Sequence, residues 1–305
     1  MIIILMKATR AIASVLTLLL VVTGCSTNTP PVTSELSVVV AFYPLQYVTE
    51  QVGGDQVNVT SLTQPGVEPH DLELTAKQVA SLATADLVFY EKGFQAAVDA
   101  AVAEQKPARV LDATALVPLR VTAGFDAEQG ASALDPHSWL DPTTLITYAK
   151  AVAEQLAVAR PEQAATFRQR ADTLAASLTT LDTEFRTGLA RCDRTAFVTS
   201  HAAFGYLAER YGLEQVGITG LSPDAEPTPA RLAEVQKVAQ SKGVTTIFSE
   251  TLASPALANA LAKDLGLTTD VLDPLEGITD QSRGSDYPAV MRSNLAALEK
   301  ANGCQ

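Results

Sequence analysis

Residues 37–42 read Ser37-Val38-Val39-Val40-Ala41-Phe42, and residues 195–200 read Thr195-Ala196-Phe197-Val198-Thr199-Ser200. Both are short, apolar, β-branched runs, the composition of a strand buried on both faces. Each leads into a helical pattern that stops at glycine, at Gly53-Gly54 in the first case and Gly212 in the second. The two stretches then keep step. Val57-Asn58-Val59-Thr60-Ser61-Leu62, a Pro-Gly turn and Glu68-Pro69 follow the first. Gln215-Val216-Gly217-Ile218-Thr219-Gly220-Leu221, a turn and Glu226-Pro227 follow the second. Next come Asp86-Leu87-Val88-Phe89-Tyr90-Glu91 and Val244-Thr245-Thr246-Ile247-Phe248-Ser249-Glu250, then Val110-Leu111-Asp112 and Val271-Leu272-Asp273. Continuous apolar strands alternating with helices imply parallel sheets. The repeat therefore predicts an α/β protein of two βα, Rossmann-like lobes, spanning 37–160 and 191–305.

Between the lobes the pattern is helical. Asp141-Pro142 is an N-cap followed by proline at the first helical position. From Pro161, the residues Phe167, Ala171, Leu174, Leu178, Leu181 and Phe185 form an apolar stripe stepping by four and three. A helix over 161–190, rising roughly 1.5 Å per residue, would be about 45 Å long and could run beside both lobes as a rigid linker.

The chain has only three histidines, His70, His137 and His201. They are too widely separated for a zinc finger, whose ligands come in close pairs. His201 directly follows the strand ending at Ser200. His70 sits in a polar loop after the second strand, and His137 lies just ahead of the Asp141-Pro142 helix start, with Trp139 as its packing anchor. Open parallel sheets bind ligands beyond the carboxyl ends of their strands. Three imidazoles in such loops point to one metal site beyond the strand ends. A closed tetrahedral site needs a fourth donor. Asp273, at a strand end in the second lobe, is the expected one. Glu250 is the alternative, and otherwise stands behind the site, accepting a hydrogen bond from a ligand imidazole.

The first 25 residues read as a secretion signal, with Lys7 and Arg10 ahead of the apolar stretch Ala11–Val22. Met6 would be a more ordinary start than Met1, because Met1–Leu5 places apolar residues before the positive end. Val22-Thr23-Gly24-Cys25 resembles the lipobox of bacterial lipoproteins, in which the cysteine is lipidated. The alternative, a retained membrane anchor, is disfavoured by the shortness of the apolar stretch. Residues 26–36 then form a tether. Beyond residue 25 the chain has 20 basic and 34 acidic side chains, a net of −14. That argues against nucleic acid as a partner and is compatible with binding cations. Cys192 and Cys304 remain. Outside the cytoplasm, at the ends of their elements, they are expected to form a disulfide.

These stretches together carry a resemblance. Phe42-Tyr43-Pro44-Leu45, Gly66-Val67-Glu68-Pro69-His70-Asp71, Asp135-Pro136-His137-Ser138-Trp139-Leu140-Asp141-Pro142, Ser200-His201-Ala202-Ala203-Phe204-Gly205-Tyr206-Leu207, Glu226-Pro227-Thr228-Pro229 and Leu272-Asp273-Pro274-Leu275 resemble the solute-binding lipoproteins of zinc and manganese ABC transporters. That cluster also contains the metal-binding adhesins. The resemblance implies one ion held between the lobes by His70 and His137 from one side and His201 and Asp273 from the other. It implies delivery to a membrane permease with its ATPase subunits, and no enzymatic activity. Manganese-preferring relatives tend to carry glutamate where His201 stands, so the resemblance favours Zn2+, with Mn2+ as the alternative cargo. Many zinc relatives also have a histidine-rich loop before the second histidine. Here residues 122–133 contain Asp126 and Glu128 but no histidine. Two other readings remain: a metal-binding adhesin, and a zinc hydrolase. The latter would need an open coordination position, and the chain has no HExxH or GxSxG motif.

Overall fold

The two runs that open the repeat are the central strands of two parallel sheets. In the first sheet, β1 (Leu36–Val40) lies between β2 (Val57–Ser61) and β3 (Leu87–Tyr90), with β4 (Val110–Asp112) outside β3. A short antiparallel hairpin follows, β5 (Arg120–Val121) with β6 (Leu134–Asp135). In the second sheet, β7 (Ala196–Thr199) lies between β8 (Glu214–Gly217) and β9 (Thr246–Ser249), with β10 (Thr268–Val271) outside β9. The two strand orders, 2-1-3-4 and 8-7-9-10, are the same order repeated, so the sequence repeat is a repeat of topology. This computed structural model describes residues 35–122 and 134–305. The signal stretch, Cys25, residues 26–34 of the tether, and Asp126 and Glu128 lie outside the described residues.

The connecting helices are α1 (Tyr43–Gly53), α2 (Ala76–Thr84) and α3 (Ala96–Gln105) in the first lobe. Those of the second are α6 (Gly205–Tyr211), α7 (Pro229–Ser241), α8 (Ala256–Leu265) and α9 (Tyr287–Asn302). The starts are encoded locally. Thr75 and Gln78 form a reciprocal capping box on α2, and Thr228 and Asp286 accept backbone N–H groups at the starts of α7 and α9. Strand residues Val38, Val40, Phe89, Val198, Ile247 and Phe248 are all completely buried, which accounts for strands without polar alternation.

Two long helices sit between the sheets in sequence, α4 (Pro142–Ala159) and α5 (Ala164–Gly188). Asp141 caps α4 by accepting from the Thr143 N–H at 2.8 Å. The linker is shorter than the apolar stripe suggested: Pro161–Gln163 is a separate 3-10 turn, and the α-helix has 25 residues. Proline supplies no N–H, so the ladder begins after it. Every member of the stripe from Phe167 to Phe185 is buried. The helix packs against α4, against α1 of the first lobe and against α9 of the second.

Two further ties secure the second lobe, the first of them to this helix. Asp182, on its buried face, accepts from Arg210 Nε at 2.6 Å, from Tyr211 Oη at 3.1 Å and from Arg186 Nε at 3.1 Å. Cys192 and Cys304 are joined in a disulfide across a sequence separation of 112. It pins the end of α9 beside the segment that enters β7.

Candidate metal centre

Each histidine is placed by the loop that leaves a strand or precedes a helix. After β2 the chain turns through Gly66, whose φ of 82° lies in the left-handed region that glycine enters without strain. Gln95, buried at the start of α3, donates to the Pro69 carbonyl at 3.0 Å, and Glu68 Oε2 accepts the His70 backbone N–H at 2.9 Å. Phe94 meets the His70 ring edge-on at 4.7 Å between centroids. His137 follows β6 and is held twice by Asp135 Oδ1, which accepts its N–H at 3.0 Å and its Nδ1–H at 2.9 Å. His201 follows β7 and is held the same way by Glu250, at 3.0 Å from the backbone N–H and 2.7 Å from Nδ1.

Those carboxylates fix chemistry as well as position. An ionised carboxylate only accepts hydrogen bonds, so Nδ1 of His137 and of His201 carries a proton, and Nε2 is the atom left to offer a lone pair inward to a cation. The Nε2 atoms of His137 and His201 are 3.3 Å apart. A fourth group faces them: Glu276 Oε1 lies 3.1 Å from His70 Nε2, 3.2 Å from His137 Nε2 and 3.3 Å from His201 Nε2. The four donor atoms all lie within 4.8 Å of one another, and the group could hold a metal ion. Four of the six donor separations, the three from Glu276 and the one between His137 and His201, are 3.1–3.3 Å, the spacing expected of donors about 2 Å from a shared zinc ion.

The electrostatics describe acceptors converging on a point that requires positive charge. Burial alone would lower the pKa of His201, but the Glu250 and Glu276 carboxylates outweigh it and hold it well above the ordinary value. His137 is raised in the same sense: burial is outweighed by Asp135 and Glu276. Burial would raise Glu276, yet the imidazoles around it keep it well below the usual carboxylate range. Without a cation, protons on the imidazoles supply the compensating charge. His70 goes the other way, lowered chiefly by burial. Burial, reinforced by Glu276, pushes Glu68 up to about 8.

Asp273, expected from the sequence as the fourth donor, does not join the group. Its Oδ1 accepts the Leu275 N–H at 2.8 Å, and its backbone exchanges two hydrogen bonds with the Asn294 amide, at 2.9 and 2.7 Å. It caps a turn. That turn passes through Leu275 at φ 58°, a left-handed conformation uncommon for leucine, and so carries the next side chain, Glu276, into the cleft. The error is one of reach: the strand ends at Val271, and the group that arrives at the imidazoles sits five residues further on. An acidic residue flanked by Leu275 and Gly277 just past the last strand was the available signal.

The site is closed on most sides. His137 and His201 are fully buried, Glu276 nearly so, and His70 retains 10% side-chain exposure. His70 also lines a cavity of about 360 Å3 at the lobe boundary, with Phe94, Leu119, Leu134 and Leu221. Trp139 fixes the first lobe to the turn that carries Glu276. Its indole N–H donates to the Pro274 carbonyl at 2.8 Å, and its own carbonyl accepts from Tyr287 Oη at 2.6 Å.

Comparison with known proteins agrees with this geometry. The family described as zinc-uptake complex component A, periplasmic (ZnuA), matches residues 38–301. The chain belongs to that family. It is 38% identical over 306 residues to the zinc-binding lipoprotein AdcA of Streptococcus pneumoniae, covering 96% of this chain and 60% of that one. It is 34% identical to the high-affinity zinc uptake system protein ZnuA of Bacillus subtilis, covering 87% of each. The crystal structure of the Zn(II)-bound ZnuA-like domain of the pneumococcal AdcA superposes with a TM-score of 0.74 at 38% identity, over 88% of this chain and 99% of that domain. The chain thus spans about 60% of the length of the AdcA relative it matches.

Proposed function

We propose that this chain is the extracytoplasmic, high-affinity zinc-binding component of an ABC-type importer. It holds one Zn2+ as cargo on His70, His137, His201 and Glu276 and passes it to a membrane permease powered by ATPase subunits. The observation that carries the reading is the convergence of three imidazole nitrogens on one carboxylate oxygen, which lies 3.1–3.3 Å from each of them. Borderline nitrogen donors outnumber the hard oxygen three to one, which favours zinc over manganese. Four protein donors close a tetrahedral site, whereas a hydrolytic zinc keeps a position for water. The buried position of the group supports cargo holding in the same sense, since a substrate for hydrolysis would have to reach the ion.

Asp135 and Glu250 accept the Nδ1 protons, which makes the Nε2 atoms better donors and orients both rings. The lobes span 37–160 and 191–305, with residues 161–190 between them, and the site lies where they meet. Attachment runs through lipidated Cys25, with residues 26–36 as the tether. A lipoprotein name among the relatives supports this. Such a tether keeps the carrier near the permease and raises its local concentration there. Elemental analysis of protein stripped of metal and reloaded from equimolar zinc and manganese tests the assignment. One zinc per chain with little manganese is the expected result. Manganese at equal or higher occupancy, or no stoichiometric metal, would overturn it.

A further inference from the structure

The β5–β6 hairpin runs into His137, yet its polar groups face the second lobe. Arg120 stands opposite Asp135 in the hairpin register. Its Nη1 donates to Asp135 Oδ2 at 3.0 Å, the oxygen that His137 leaves free, and its Nε donates to Glu209 Oε2 at 2.7 Å. Its backbone N–H donates to Tyr206 Oη at 2.8 Å, and the same hydroxyl donates to the Asp135 carbonyl at 2.9 Å. The guanidinium lies 5.4 Å from the Tyr206 ring centre. Tyr206 and Glu209 are one turn apart on α6, the helix that begins just after His201. Space for the contact is provided at Gly205, where a Cβ would overlap Arg120 Nη1 and stand 2.8 Å from Asp135 Oδ2.

We infer that Arg120 is a positioning residue for metal retention. It locks Asp135, and through Asp135 the His137 imidazole, onto the helix that follows His201. The two fully buried imidazoles contributed by opposite lobes are thereby held at their 3.3 Å separation. The inference rests on the four-residue group being the zinc site. Its strength lies at the Asp135 end. That carboxylate is 1% exposed and its bond to Arg120 is charge-assisted, whereas Glu209 is 70% exposed and screened by water. Arginine suits the role because its fork can engage two carboxylates and a ring face at once, which a lysine ammonium cannot. The latch lies behind His137, away from the more open His70 side, so it acts on release of the ion rather than on its capture.

The test is stopped-flow zinc release from the loaded full chain into excess chelator, together with capture rates and melting curves with and without zinc. Removing an outer partner of a ligand lowers metal affinity about 10–100-fold, so Arg120→Met, which loosens that partner without removing it, should release zinc several-fold and up to about tenfold faster with capture unchanged. Arg120→Lys should also release faster, while Glu209→Gln should stay near the parent protein. Tyr206→Phe should accelerate release. Its effect should fall short of additive with Arg120→Met, because both act on the same hairpin. The zinc-induced rise in melting temperature should shrink in Arg120→Met; a merely structural residue would lower both melting curves equally and leave that rise intact. Parent-like release from Arg120→Met or Arg120→Lys, or an undiminished zinc-induced rise, overturns the inference. Should Arg120→Met fail to fold, parent-like release from Tyr206→Phe overturns it instead. Failure of the parent protein to bind one zinc would refute the site itself, which the stoichiometry reports separately.

Discussion

Glu276→Gln and Asp273→Asn form a pair that separates the ligand from the turn cap. Glu276 Oε1 is in reach of all three Nε2 atoms, so replacing the carboxylate by a neutral amide removes the only anion in the group. Asp273 Oδ1 accepts the Leu275 N–H, and asparagine offers an oxygen in the same place. Burial raises the Asp273 pKa, so a neutral replacement avoids the desolvation cost that its carboxylate carries. Outer partners of a metal ligand are worth about 10–100-fold in affinity, so loss of the ligand charge itself should cost at least about 100-fold. With zinc at 100 times the parent dissociation constant, binding stabilises the parent by about 2.7 kcal/mol. A 100-fold weaker variant would retain about 0.4 kcal/mol of this. A difference of about 2.3 kcal/mol corresponds to about 5–9 °C for a domain of this size. Glu276→Gln should therefore lose about 5–9 °C of the zinc-induced rise in melting temperature, and Asp273→Asn little of it. Calorimetric scans with and without zinc, with titrations for affinity, read both. If Asp273→Asn lost the rise while Glu276→Gln kept it, the argument from donor geometry would be refuted.

His201→Glu exchanges a borderline nitrogen for a hard oxygen and should move preference toward manganese in competition titrations; an unchanged zinc-to-manganese ratio would mean that site geometry dominates over donor type. Asp182→Asn should destabilise the fold by about 1–3 kcal/mol at neutral pH, because it weakens charged hydrogen bonds to Arg210 and Arg186. Burial would raise the Asp182 pKa, but those arginines hold it below the ordinary value. Its stabilisation is therefore complete above about pH 4, the unfolded value, and is lost as pH falls through the folded one. The gap between parent and variant in denaturant titrations should close on acidification; a gap that widens contradicts the sign. Thiol counting on unfolded, unreduced protein carrying Cys25→Ala should find no free thiol, because Cys192 and Cys304 are bonded. Two free thiols would refute that pairing. In cells, the same Cys25→Ala change should release the protein from the membrane without altering its metal binding, and a protein that stays attached would point to a retained apolar anchor.

Local chemistry was sufficient for much of this molecule. Apolar runs without alternation specify parallel strands, and glycine, proline and Asp141 mark where helices start and stop. Because the run at 37–42 recurs at 195–200 with its turns and helices in the same order, the two-lobed topology was readable without any contact being known. The three histidines were equally legible, since each stands beside a strand end or helix start whose position the pattern predicts. Glu250 was legible for the same reason, lying at the end of β9, next to β7 and therefore close to His201. The fourth donor was not. Whether Asp273 or Glu276 reaches the imidazoles depends on the φ of Leu275, and a left-handed leucine persists only because the surrounding packing over-determines it. Nor could local pattern show that Trp139 donates to Pro274 across 135 residues, or that Arg120 crosses to Tyr206 and Glu209. Periodicity reports which face of an element is buried; it carries no information about which distant side chain meets it. Those pairings arise only when both lobes close around α5, and they set the separations of 3.1–3.3 Å on which the chemistry of the site depends.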